Sequence, residues 1–387
     1  MDEERTIFVP MQLTRLFQDL FNSEKAGGML LVLCATLSLV ITNTAWGEGY
    51  AHFWHADVGG RPLEFWINDG LMSIFFLLIG LELERELYAG ELSQGRQALL
   101  PALAAVGGML VPAGIYAFFN FGTLTASGAG IPMATDIAFA IGVLALLGDR
   151  VPVALKVFLT ALAVMDDLGA ILTIAIFYSN GIQWAFLGAA MGLFAFMVLL
   201  NRLKVHRLWP YLFIGPVMWY CMLESGVHAT IAGVLLAFAI PFGSGDERSP
   251  SYRLQHLLHR PVAFGIMPLF ALANTCIALA PGWLPGLLSP DSLGIFFGLV
   301  VGKPLGIALF TGASIALGWC ALPEGTRFTQ LIGVGCLAGI GFTMSIFITL
   351  LAFDDPAIVV NAKTAILASS LVAAVVGAVW IRRTLAR

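Results

Sequence analysis

VFLTALAVMDDLGAILTIAIF, from Val157 to Phe177, is long enough to cross a bilayer and is uncharged except for two adjacent aspartates, Asp166 and Asp167. An ionisable group in hydrocarbon is costly. Two neighbouring carboxylates are tolerated there only where water, a counter-charge, a proton or a bound cation meets them. The stretch therefore predicts a transmembrane helix that carries ion chemistry. Consecutive residues point roughly 100° apart on a helix, so one aspartate can line a water-filled funnel while the other meets a neighbouring span.

The rest of the chain agrees with a membrane setting. Of its 387 residues, 59% are hydrophobic and 11% charged, whereas a soluble domain carries about 25% charged residues. We read an all-α polytopic membrane protein, residues 1–387 forming one transporter domain. Windows for twelve spans fall near 26–42, 63–84, 98–119, 125–147, 153–178, 183–200, 208–222, 226–241, 256–279, 291–317, 328–352 and 359–381. Ahead of them, MQLTRLFQDLF reads as an interfacial helix feeding the first span, without the cleavage site of a secretory leader.

With both termini cytoplasmic, 17 Lys and Arg residues fall inside and only Arg61 outside, while Lys303 and Lys363 lie within spans. No basic tract longer than the RRTLAR tail could grip phosphates, which argues against nucleic acid as a partner. Cys34, Cys221, Cys276, Cys320 and Cys336 have neither CxxC spacing nor a histidine pattern, and read as small core residues. Outside, AWGEGYAHFWHADVGGRP within residues 43–62 mixes aromatics with a turn-like DVGG. A small surface β-hairpin is expected there, with an edge able to pair with a second copy of the chain.

Two spans carry residues that break helices. GAGIPMATDIAF (Gly128 to Phe139) puts glycine, proline, threonine and Asp136 at mid-span, and GCLAGIGFTMSIF (Gly335 to Phe347) sets glycines, Thr343 and Ser345 in a long uncharged run. Residues 98–178 and 291–381 then read as corresponding inverted units, each with an interrupted helix at its centre and the binding site where they meet. Opposed half-helix ends leave like partial charges facing each other. Asp136 is placed to neutralise the positive pair, and Lys303 to face the negative pair. A blander reading has the glycines serving only close helix packing.

Lys303 stands alone in its span, and a buried lysine needs an acidic partner or loses its proton. One of the two aspartates is the expected partner, either as part of the exchange chemistry or as a fixed structural ion pair. Carboxylates supplemented by the Thr135 hydroxyl, backbone oxygens or water suit hard ions such as Na⁺ and Li⁺. Burial and neighbouring charge govern how readily a carboxylate holds a proton, so protons and a small cation can compete for the same oxygens. Toward the cytoplasm, Glu82, Glu84, Arg85 and Glu86 form an acidic mouth, with a solvated helix end the alternative at Glu84. Asp69 lies on the same helix toward the outside. His256 and His259, three apart, share one face as a pH sensor or as interfacial packing, and His228 opens the eighth span at the outer mouth.

ALAVMDDLGAI, IPMATDIAFAIGVL, VGKPLGI and GIGFTMSIFI together resemble the NhaA Na⁺/H⁺ antiporters, a family that is itself a standard example of inverted repeats. The resemblance runs from the N-terminal helix to the last span. It implies two interrupted helices crossing at mid-membrane, and electrogenic exchange of cytoplasmic Na⁺ or Li⁺ for external H⁺ in a bacterial inner membrane. It also implies pH control, no cofactor, a lipid surround and a homodimer joined through the outside hairpin. By the same resemblance, Asp166 and Asp167 are the carboxylates for the transported Na⁺ or Li⁺ and for protons. Asp136 compensates the crossed helix ends, Lys303 pairs with the first aspartate, Thr135 assists, and Asp69 serves the outer pathway. Glu82, Arg85, Glu86, His256 and His259 resemble the pH-response region, and His228 the histidine tied to the pH profile. Gln255 stands where the family carries an acid, which touches the pH set-point rather than the exchange. Two other classes stay open on the residues alone: a cation-coupled symporter of an organic anion, and a non-transporting scaffold.

Overall fold

The computed structural model describes residues 15–90, 93, 95–179, 181–279 and 283–385. Residues 11–14 of the expected interfacial helix lie outside these residues, and the chain is helical from Arg15 on. The helices, in chain order, are α1 (Arg15–Thr42), α2 (Gly47–Trp54), α3 (Leu63–Tyr88), α4 (Gly95–Asn120), α5 (Ile137–Leu146), α6 (Val153–Phe177), α7 (Trp184–Arg202), α8 (Trp209–Glu224), α9 (Ile231–Ala239), α10 (Pro250–Asn274), α11 (Pro290–Ala316), α12 (Phe328–Ala338), α13 (Phe342–Ala352) and α14 (Pro356–Leu385). Among the described residues eight helices are long and apolar enough to cross a membrane, or nine if the bent pair α12–α13 counts as one span. The remaining expected windows hold shorter helices: Ala26–Thr42 within α1, α8 with 16 residues and α9 with 9.

A hairpin does not form in residues 43–62. The aromatic run coils into α2, because helical spacing lets Trp54 bury itself with its ring edge-on to Tyr50 at 5.7 Å, while the Tyr50 hydroxyl donates to Ser38 Oγ at 3.0 Å. Only the DVGG turn behaves as read. Gly59 and Gly60 adopt φ of 70° and 85°, and a single antiparallel bridge joins Asp57 to Pro62 without a strand on either side.

Among the described residues three helices loosen into π-turns, at Trp66–Leu71 in α3, Val262–Ile266 in α10 and Gly298–Gly302 in α11. The second and third end just before Pro268 and Pro304. A proline supplies no N–H to the carbonyl four residues earlier, and the wider turn absorbs the break.

Both interruptions are visible. A 3₁₀ segment, Ala126–Met133, ends at Pro132–Met133 and the backbone runs extended through Ala134 and Asp136 into α5. Between α12 and α13 the chain bends by 47°. The interrupted segments touch at these breaks. Asp136 N donates to Ile340 O at 2.7 Å, and Ser345 Oγ to Ile131 O at 2.7 Å. Around them Tyr116, Ile131, Phe76, Phe270, Phe342 and Phe347 are fully buried, so the crossing is set in tightly packed apolar surroundings.

Candidate functional site

Asp136 caps α5: its Oδ1 accepts from Phe139 N at 2.9 Å. Its other oxygen, Oδ2, accepts from Thr343 N at 3.1 Å and Thr343 Oγ1 at 2.7 Å, at the start of α13. One carboxylate thus receives donors from two helix N-termini, where the helix dipoles concentrate positive charge. Thr343 was legible in the sequence only as a polar residue in an apolar run, and its pairing with Asp136 needed the fold.

At the opposite ends of the breaks, the Lys303 ammonium donates to Met133 O, the last carbonyl of the 3₁₀ segment, and Thr135 Oγ1 reaches Ala338 O at the end of α12 at 2.9 Å. Exposed carbonyls at helix C-termini carry partial negative charge, so these donors meet the negative ends as Asp136 meets the positive ones.

α6 presents the two aspartates differently. Asp166 is fully buried and its Oδ2 lies 2.7 Å from Lys303 Nζ and 2.6 Å from Thr135 Oγ1. Thr135 has one hydroxyl hydrogen and two acceptors in reach, Asp166 and Ala338 O, so it serves one at a time. Asp167 instead lines a cavity of about 60 Å³ with Thr135, Asp136, Thr343, Glu82 and His259. That space admits a few waters or a small cation. Asp166 Oδ1 and Asp167 Oδ1 are buried without a hydrogen-bond partner among the described residues. Asp167, Asp136, Thr135 and Thr343 give the cavity oxygen donors of the kind hard cations take.

Glu82 and His259 line the same cavity from the side that the Lys and Arg distribution assigns to the cytoplasm. Gln255 is buried beside Glu82, and Arg85 approaches Glu86 at 3.6 Å. His256 and His259 do not share an environment: His259 is buried and His256 is exposed, because α10 packs only one edge of that face against α1 and α3. Glu84 is not a solvated helix end either. It is 4% exposed, on the face of α3 turned toward its neighbours. On the outer side Asp69 sits in the α3 π-turn with His228 Nδ1 3.8 Å from its Oδ1, apart from the cavity.

Comparison with known proteins accords with this geometry. The family model described as Na⁺/H⁺ antiporter 1 matches residues 18–381. The chain is 60% identical to the Na⁺/H⁺ antiporter NhaA of Cytophaga hutchinsonii over 97% of each chain. It is 58% identical to that of Dechloromonas aromatica over 96% of each, and 49% identical to that of Vibrio campbellii over 96% of each. The solved sodium proton antiporter MjNhaP1 of Methanocaldococcus jannaschii shares the fold, with a TM-score of 0.55 at 15% identity, covering 97% of this chain and 99% of that one. A match over nearly the whole chain, with these relatives and an all-helical membrane fold, makes this protein a member of the Na⁺/H⁺ antiporter 1 family.

Proposed function

We propose that this protein is a secondary transporter that exports Na⁺, and Li⁺ as its smaller congener, in exchange for external protons. The observation that carries the reading is the unpartnered Asp167 oxygen in a small cavity beside the Asp166–Lys303 pair, where two interrupted helices cross. Na⁺ entering past Glu82 meets Asp167 and the free oxygen of Asp166, and displaces protons held by this centre. Movement of the units 98–178 and 291–381 then turns the site outward, and external protons displace the ion. Two protons per Na⁺ make the cycle electrogenic, and the membrane potential then contributes about 2.3 kcal/mol per net charge per 100 mV.

The same reading places twelve spans in a bacterial inner membrane with both termini in the cytoplasm, following the Lys and Arg distribution. Two protomers join through residues 43–62, with the exposed Trp46, Phe53 and Val58 as contact surface. His259, with Glu82 and Gln255 nearby, makes exchange rise with pH.

The test is Na⁺-induced dequenching of a pH-sensitive dye in proteoliposomes with an imposed proton gradient, under K⁺ and valinomycin voltage clamp. Wild type should dequench and Asp166→Asn should not. Correctly inserted wild type that moves no protons on addition of Na⁺ would remove the antiport reading.

A further inference from the structure

Lys363 is a second buried lysine, and the exchange chemistry above does not use it. It lies on α14, 8% exposed, and its Nζ donates to Asn274 Oδ1 at 3.3 Å on α10. Asn274, fully buried, donates through Nδ2 to Asn68 Oδ1 at 2.7 Å on α3 and to Phe270 O at 3.0 Å. Among the described residues no carboxylate stands within ion-pair distance of Lys363. Glu64 acts on it from farther off and itself faces His55 at 3.5 Å. An ammonium with three donors is therefore held in an apolar setting by one neutral amide, a thin compensation for a buried charge.

The position of this chain of contacts gives it a meaning beyond packing. α14 belongs to residues 291–381, which carry Lys303 and the α12–α13 break, whereas α3 and α10 lie outside both units. One turn inward from Asn274, Phe270 packs on Phe347 of α13, with ring centroids 6.4 Å apart. Phe347 in turn packs on Phe76 of α3 at 5.2 Å. These three buried rings close the outer side of the site, while the cavity at Asp167 lies on the side of Glu82 and His259. The Lys363–Asn274–Asn68 bridge sits just outside that plug and ties the unit bearing the site to the helices it must slide against.

We propose that this bridge is a latch holding the cytoplasm-facing state, and that Lys363 is a positioning residue of the exchange cycle. The contact breaks when the unit moves to turn Asp167 outward, so its strength sets the balance between the two states. This inference rests on the antiport reading. Breaking the latch shifts population toward the outward state, and apparent affinity on each face follows the fraction of protein open to that face.

The experiment measures the apparent KM for Na⁺ from each face, in everted and in right-side-out vesicles. In Lys363→Met the ratio of external to cytoplasmic KM should fall by about tenfold. Asn274→Asp places a carboxylate against the ammonium and should move the ratio the other way, with slower turnover. Asn68→Leu, which removes only the far amide, should fall between wild type and Lys363→Met and keeps the test open if that variant fails to insert. Wild type without Na⁺-driven proton movement overturns the antiport reading. Wild type that exchanges, with variants whose ratios stay fixed or all move in one direction, overturns the latch alone.

Discussion

Lys303 Nζ stands 2.7 Å from Asp166 Oδ2 and Thr135 Oγ1 lies 2.6 Å from the same oxygen, while among the described residues the other oxygen of Asp166 has no hydrogen-bond partner. All the donors gather on one side of the carboxylate. On the proposed exchange, the bare oxygen is the one a cation would meet, in competition with the lysine for the charge of Asp166.

This asymmetry separates the two aspartates in stability. Asp166→Asn leaves a fully buried ammonium without its counter-charge, which costs about 3–5 kcal/mol. Asp167→Asn removes a buried carboxylate that has an unsatisfied oxygen, and the fold should hold. Both variants should lose exchange in proteoliposomes. Thermal unfolding in detergent should show a lowered midpoint for Asp166→Asn alone; equal losses would contradict the arrangement.

Asp136 joins two helix starts, and its replacement should loosen both. Asp136→Ala removes the cap of α5 and the acceptor for Thr343, about 1–2 kcal/mol for the cap alone. Thr343→Val keeps the backbone donor and loses only the hydroxyl bond, so it should be the milder change. Thr343→Ser should resemble wild type. Thermal midpoints ranked in that order support the shared-carboxylate geometry.

α4 and α11 cross at bare backbone. A Cβ built on Gly306 would fall 2.0 Å from the Gly107 carbonyl oxygen, whereas one on Gly188 of α7 meets nothing within 4 Å. Gly306→Ala should therefore cost about 1–3 kcal/mol through forced separation of the helices. Gly188→Ala should be neutral. Expression and unfolding of the two variants side by side give the comparison.

The two histidines make a matched pair for testing the proposed pH response. His259 is buried at the cavity with neither ring nitrogen hydrogen-bonded, and His256 faces outward. His259→Gln should change the pH profile of exchange, because it replaces a ring on the cavity wall beside Glu82 and Asp167. His256→Gln should leave the profile in place. Equal effects of the two substitutions would detach the response from the cavity.

The long apolar spans and the location of the breaks were legible along the chain, because each is written in a local pattern. Apolar length marks a span, and Pro132 and the glycines near Gly339 mark lost backbone hydrogen bonds. The Asp166–Asp167 pair announced itself because charge in hydrocarbon is too costly to be incidental. Local pattern failed where two outcomes share a composition. The aromatic run before DVGG suits a strand or a helix, and packing of Trp54 and Tyr50 against α1 and α10 chose the helix. Helical spacing put His256 and His259 on one face, but only the packed neighbours decided that one is buried and the other is not.

What the sequence determined by itself is therefore the set of charges that hydrocarbon must accommodate and the points where its helices cannot run straight. What only the tertiary structure decided is who meets whom. Lys303 meets Asp166, which the residues alone left open and the family resemblance implied; Asp136 binds Thr343 as well as capping its own helix, and Lys363 ties α14 to Asn274 and Asn68. Those partners lie far apart in the chain, and their bonds depend on the angles at which packed helices cross, which no single helix encodes.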